Sequence, residues 1–267
     1  MGADTKSLRT RIKSVDSTLH LTKAMGLVAS SKIRRATMDM NNSREYAVAV
    51  GNTIATLTAC TECAKSKYME KREGGKTKLI VIAGDRGLAG GYNANIFRLV
   101  REMPQADIMP IGKRACDRYG AGSVSAEKYS YNDAKSLAEK LCEGFLNGEF
   151  DKLGIICTKY ISILTQQAEI KWILPLERKK NAPSHGVVFE PDELVILDCA
   201  VKEYVAGMII AAVRESFASE VAARRCAMDS AGKNAQQMID ELQLEYNRAR
   251  QSAITQELTE IVAGCGG

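Results

Sequence analysis

Proline, histidine and aromatic side chains are scarce in this 267-residue chain, and each scarcity closes off a class of protein. The five prolines all fall between Pro104 and Pro191, so neither end of the chain carries the residue that most often breaks a helix. Aromatics make up only 6% of the residues, against a heavy load of Ala, Leu, Lys, Arg and Glu, a mixture that favours long helices over a sheet-rich sandwich. With only two histidines, His20 and His185, metal and triad chemistry is short of ligands. No GxSxG, HExxH or Cys and His nucleophile arrangement appears. The longest apolar stretch, Val205 to Val213, contains Gly207 and stops at Arg214, well short of the roughly 20 residues that span a bilayer. The opening MGADTKSLRTRIK has no apolar core of a secretory signal and is expected to begin a helix, which makes the cytoplasm the expected compartment.

The eight cysteines are scattered through apparent core and helix positions, Cys116, Cys142, Cys157 and Cys199 among them, and are expected to be reduced and buried. Cys60 and Cys63 form a CxxC, which spacing alone would allow as a zinc or redox site, although no second pair and few histidines accompany it. The net charge of +5 suits an acidic partner surface as readily as nucleic acid.

What the chain does have is a periodic stripe. Leu8, Ile12, Val15, Leu19, Thr22, Gly26, Ala29, Ile33, Ala36, Met40, Ser43, Ala47, Val50, Ile54 and Leu57 recur at alternating steps of four and three. Such a seam over about seven heptads specifies one long helix, on the order of 80 Å, with a partner-facing stripe. Its middle, Thr22, Gly26 and Ala29, is small enough for close backbone approach, and Lys13, Lys23, Lys32, Arg34 and Arg35 flank it. Those basic residues fit a nucleic-acid stripe or the solvated flanks of a coiled coil; the absence of Phe, Tyr and Trp between Met1 and Asn42 argues against a single-strand binder. A partner helix is available at the other end, where a helical pattern runs from about Asp192 to Val262 and ends at Gly264, Gly266 and Gly267. Its seam reads Met228, Ala231, Ala235, Met238, Leu242, Tyr246, Ala249 and Ala253, with a bend possible at Gly207. Two such helices most simply pair antiparallel.

Between them the period changes. Lys78–Ala83, Asp107–Ile111, Val124–Tyr129, Lys152–Thr158 and Glu169–Pro175 read as strands. Helices are expected near Asn93–Glu102, Arg114–Tyr119 and Asp133–Leu146, which makes an α/β sheet domain inserted between the long helices. The expected segments are 1–65 for the first helix, 66–190 for the Rossmann-like α/β domain and 191–267 for the second helix.

Two glycine-rich loops test the case for a nucleotide site. Gly84 to Asn93 follows a strand, but Arg86 stands where a dinucleotide fingerprint needs glycine, so the alternative is a tight turn with positive-φ positions. Gly75-Lys76-Thr77 imitates the end of a Walker A motif, yet Glu70 occupies the first glycine position and the tripeptide precedes its strand. No cofactor is expected, and the chain is not expected to be an enzyme by itself.

Three blocks, Arg11 to Ala36 (RIKSVDSTLHLTKAMGLVASSKIRRA), Asp85 to Phe97 (DRGLAGGYNANIF) and Met238 to Gly264 (MIDELQLEYNRARQSAITQELTEIVAG), resemble the F-type ATP synthase γ subunit, in that family's order and at its separations. The resemblance implies that the terminal helices form an antiparallel coiled coil standing inside a hexamer of alternating α and β subunits. It implies that the α/β domain is a foot meeting the ε subunit and the membrane c-ring. One copy per complex would turn with the ring at the cytoplasmic face of a bacterial cell membrane and drive the β subunits through their nucleotide cycle. Carried over by position, Lys23 and Met25, in Thr22-Lys23-Ala24-Met25, fall at the collar where β loops touch the shaft; Arg224, Gln251, Thr255 and Gln256 match positions for coupling and β contact. Phe189 and Glu190 match a stretch near the c-ring, with Phe where the family has Tyr. Ala89 replaces a family cysteine, and the redox insertion of chloroplast members is not matched. The small and polar seam with charged flanks fits a shaft that slides in its sleeve without a large apolar patch to hold it.

Overall fold

The computed structural model describes residues 2–72, 74–120, 122–178, 190 and 192–265. The proline-free ends become α1, Gly2–Ala59, and α5, Glu193–Cys265. Each seam position from Leu8 to Leu57 is buried or half-buried, so the heptad stripe is the buried face of α1. Two compact units form, one from Met1–Ala29 with Arg224–Gly267, the other from Ser30–Ala223.

The larger unit holds a four-stranded sheet in the order β2-β1-β3-β4. In sequence its elements are β1 (Thr77–Ile82), α2 (Tyr92–Arg101), β2 (Asp107–Ile111), α3 (Lys113–Tyr119), α4 (Tyr131–Leu146), β3 (Lys152–Tyr160) and β4 (Gln166–Leu174). β1 runs parallel to β2 and β3, and β4 is antiparallel to β3. Because strand side chains alternate, Leu79 and Val81 of β1 pack with Tyr92, Ile96 and Val100 of α2. Ile80 and Ile82 point the other way, into a core with Leu141 and Phe145 of α4 and Leu197, Val205 and Ile209 of α5. Both faces of the parallel strands are covered, which is why they read as near-continuous apolar runs.

The expected strand at Val124–Tyr129 does not form. The amides of Ala126 and Glu127 donate instead to the Asp85 carboxylate, each at 3.0 Å, and the Ser125 hydroxyl and Lys113 amide donate to it at 2.6 and 3.1 Å. A carboxylate that satisfies these donors removes their reason to join a ladder. At Gly112, φ is +95° and an added Cβ would fall 1.9 Å from the Ala83 carbonyl oxygen, so only glycine lets this turn close on the sheet. Helix α4 begins two residues earlier than expected because Ser130 and Asp133 form a capping box.

Further expectations need correction. Gly207 lies inside α5, and its missing side chain makes room for the Tyr46 ring, 3.1 Å from where a Cβ would stand. Met238 is 42% exposed while Ile239 is 6% exposed, because a step of four from Ala235 and then three to Leu242 keeps the stripe on one face. Cys116, Cys142 and Cys157 are buried, but Cys199 is exposed, lying off the stripe set by Leu197 and Val201. Cys63, buried in the short turn after α1, donates to the Glu193 carbonyl at 3.6 Å; burial, aided by Cys60 and nearby carboxylates, pushes its thiol up to about 11. A thiol held protonated in this way is a poor ligand and a poor nucleophile.

Burial alone would raise the Asp85 carboxyl, but the Ser125 hydroxyl and the amides of Glu127, Lys113 and Ala126 outweigh it and hold it below the usual range. Its stabilising contribution is therefore complete above about pH 3.9 and lost as the pH falls through the lower folded value. Replacing Asp85 by Asn turns an amide group toward these donors and is expected to cost about 1–3 kcal/mol in urea unfolding at neutral pH, with the gap to the parent protein closing under strong acid. Equal stability at pH 7 would contradict this role.

Candidate functional site

The smaller unit is the place to look for a partner surface, because six of the eight expected contact residues lie in it. Leu19 packs with Ala235 and Ile239, Thr22 lies against Gly232 and Gly26 against Met228, so rising numbers on one helix meet falling numbers on the other and the pair is antiparallel. Small residues set its spacing: a Cβ on Gly26 would stand 3.7 Å from Met228 Cβ, and one on Gly232 would stand 3.6 Å from Thr22 Oγ1. Thr22, though 8% exposed, turns its hydroxyl back to the Leu19 carbonyl at 2.9 Å and so carries no unmet donor into the seam.

Lys23 is exposed, and Met25 and Arg224 are half-buried. Since Gly26 meets Met228, one turn from Arg224, these three residues occupy one level of the helix pair, within about two turns. Gln251, Thr255 and Gln256 are all exposed. They stand about 40 Å further along α5 at 1.5 Å per residue, so the expected residues fall at two separate levels. At the second level Thr255 donates to the Gln251 carbonyl at 2.9 Å and Gln256 to the Glu260 carboxylate at 2.9 Å. These local bonds hold the polar side chains along the helix. Glu190 is exposed in the larger unit, and Phe189 lies outside the described residues.

The sequence reading missed what lies between the polar residues of the second level. Every residue from Ile254 to Gly264 is exposed, including Ile254, Leu258, Ile261 and Val262 at 48%, 58%, 61% and 72%. Their spacing of four, three and one places them on one helical face. The expected shaft without an apolar patch does not describe this end of α5. The signal is present in AITQELTEIV, where apolar residues recur at helical spacing between polar ones.

Charges of both signs lie against the Gly84–Asn93 turn, and Arg114 Nη2 stands 3.3 Å from where a Cβ on Gly87 would be. A Cβ on Gly84 would lie 2.7 Å from the carboxyl carbon of Glu220, and Asp85 faces inward from the next position, so carboxylates already occupy its surroundings. The positive-φ positions are Gly90 and, unexpectedly, Leu88 at φ 61°. A cleft of about 870 Å³ opens elsewhere in the larger unit, lined by α1 residues such as Val48 and Ala55 and by Trp172 and Leu174, and no residue of the turn lines it. Among the described residues no group of three or more His, Cys, Asp or Glu could hold a metal ion, and no helix is long and apolar enough to cross a membrane.

The fold and these surfaces define a coiled-coil interaction protein carrying an α/β domain. The family profile described as ATP synthase matches residues 4–266. The ATP synthase gamma chain of Ruminococcus albus is 39% identical, the match covering 97% of this chain and 96% of that one. The sodium ion specific ATP synthase gamma chain of Acetobacterium woodii is 36% identical over 99% of this chain and 98% of its own. A chain in the OSCP/F1/c-ring structure of the Euglena gracilis mitochondrial ATP synthase shares the fold at TM-score 0.70 and 19% identity, covering 99% of this chain and 94% of that one. The chain belongs to the ATP synthase gamma-chain family.

The close approach at Gly26 gives a two-sided test. Gly26→Ala fits at ordinary contact distance and is expected to stabilise the chain by about 0.5–1 kcal/mol through helix propensity. Gly26→Leu is expected to destabilise it by about 1–3 kcal/mol by forcing the helices apart. Thermal unfolding of both variants checks the pairing; the same sign for both would contradict it.

Proposed function

We propose that this chain turns as the shaft of a bacterial ATP synthase, at the cytoplasmic face of the cell membrane, one copy per complex and without turnover of its own. In this reading the segments 1–65 and 191–267, which carry α1 and α5, stand within a hexamer of three α and three β subunits. The intervening 66–190 is the foot that meets the ε subunit and the c-ring, with Phe189 and Glu190 near the ring. Ion flow turns the ring, the asymmetric shaft turns with it, and each angle favours a different β conformation and nucleotide affinity.

The observation that carries this reading is the exposed end of α5. An apolar face from Ile254 to Val262 standing in water is costly for a monomer, and a sleeve of surrounding subunits would cover it. Polar neighbours, Gln251, Thr255 and Gln256, would then make the few directional contacts, while Lys23, Met25 and Arg224 meet β loops at the collar. Titratable and amide contacts of this kind exchange partners as the shaft turns, which a continuous apolar seal does not permit.

Mixing purified α and β subunits with and without this chain tests the reading. ATP hydrolysis is expected to depend on a sub-stoichiometric amount of the chain relative to β, with no turnover by the chain alone. Hydrolysis by the isolated chain would restore an enzymatic reading. In reconstituted vesicles, Lys23→Ala, Arg224→Ala and Gln251→Ala are each expected to lower ATP synthesis several-fold, of the order that a loss of about 1 kcal/mol of coupling produces. Unchanged synthesis in all three would remove these residues from the coupling path.

A further inference from the structure

Nine buried polar or charged residues are found among the described ones, and four of them, Glu215, Ser216, Ser219 and Glu220, fall within six consecutive positions of α5. The rest of the neighbouring helix face is Val, Ile and Ala, so this polar cluster has a local cause. β1 ends its pairing with β3 at Ile156, leaving Thr158 and Tyr160 of β3 beyond it. α5 supplies what the missing strand would have: Ser216 Oγ accepts from the Thr158 amide at 3.1 Å, the Ser219 hydroxyl donates to the Thr158 carbonyl at 3.2 Å, and Glu215 Oε1 accepts from the Tyr160 amide at 3.2 Å. Tyr92 of α2 adds a bond to the Ser216 carbonyl at 3.0 Å.

Glu215 is also the centre of a charged clamp. Arg44 of α1 reaches its Oε1 at 2.8 Å and Lys171 of β4 its Oε2 at 3.0 Å. One side chain therefore ties both long helices and two strands together. Burial would raise the Glu215 carboxyl, and Lys171 and then Arg44 overcome this and hold it low. Apolar packing is non-directional and lets a helix rotate about its axis at small cost. Hydrogen bonds weaken steeply with angle, and a buried ion pair broken on one side leaves an uncompensated charge.

We propose that the Glu215–Glu220 turn, with Arg44, Lys171 and the end of β3, is the joint through which torque passes from the α/β domain to the helix pair. Glu215 acts as a positioning residue, fixing the rotational angle of α5 against the sheet. This rests on the rotor reading, and the test separates the two. The full ATP synthase carrying Glu215→Gln is reconstituted in vesicles, and ATP-driven ion pumping per ATP hydrolysed is compared with hydrolysis by the soluble complex of α, β and this chain.

Hydrolysis in the soluble complex is expected to stay within two-fold of the parent, while ions pumped per ATP fall about three-fold or more. Lys171→Gln, at a less buried partner, is expected to shift pumping in the same direction, and Arg44→Lys to keep it near normal. Pumping per ATP unchanged in both Glu215→Gln and Lys171→Gln overturns the joint. So does a parallel loss of hydrolysis and pumping, which marks a structural role alone. If the parent chain supports neither hydrolysis nor pumping, the rotor reading itself fails.

Discussion

A narrow stripe repeating every three or four residues can be buried only by another helix lying along it, and that constraint shapes this chain from both ends. A globular core would need a broader apolar face than α1 possesses. The stripe is met by α5 with small residues at the closest approach, Gly26 and Gly232 among them, so the two backbones come together without large side chains between them. Small seams give up buried area and gain a slim, uniform cross-section, while the charged flanks remain in water.

The α/β domain solves a different problem. Its sheet is short on the β1 side of β3, and buried strand amides cannot be left without partners. Side chains of α5 take the place of the absent strand, and Asp85 performs a similar service for the loop at Ser125–Glu127. Both use side-chain oxygens to satisfy backbone groups, amides in each case and, at Thr158, a carbonyl as well. They also set two carboxylates, Asp85 and Glu220, at the start of the glycine-rich turn, where each disfavours a phosphate.

Much of this was legible in the sequence because it is periodic. The seam of α1 came through position by position, and Lys152 and Asp107 open strands where the apolar runs begin. What was lost depended on contacts distant in the chain. No local signal told that Val124–Tyr129 would surrender its amides to Asp85, about forty positions earlier, or that a tyrosine at 46 would fill the space left by Gly207. Met238 and Ile239 compete for one seam position on spacing alone, and only the packing of Leu19 against Ile239 decides between them. The proposed contact residues Lys23, Arg224 and Gln251 follow from resemblance alone; the apolar face just beyond Gln251 is periodic and readable, yet it gains meaning only once α5 is seen to be exposed there.

The central claim is that this chain rotates. Its most direct test is to immobilise the complex of α and β subunits with this chain, attach a probe to the α/β domain and watch it under ATP. Sustained rotation in one direction that stops when ATP is withdrawn is the predicted result. A probe that stays fixed, or wanders equally both ways while ATP is being hydrolysed, would contradict the account.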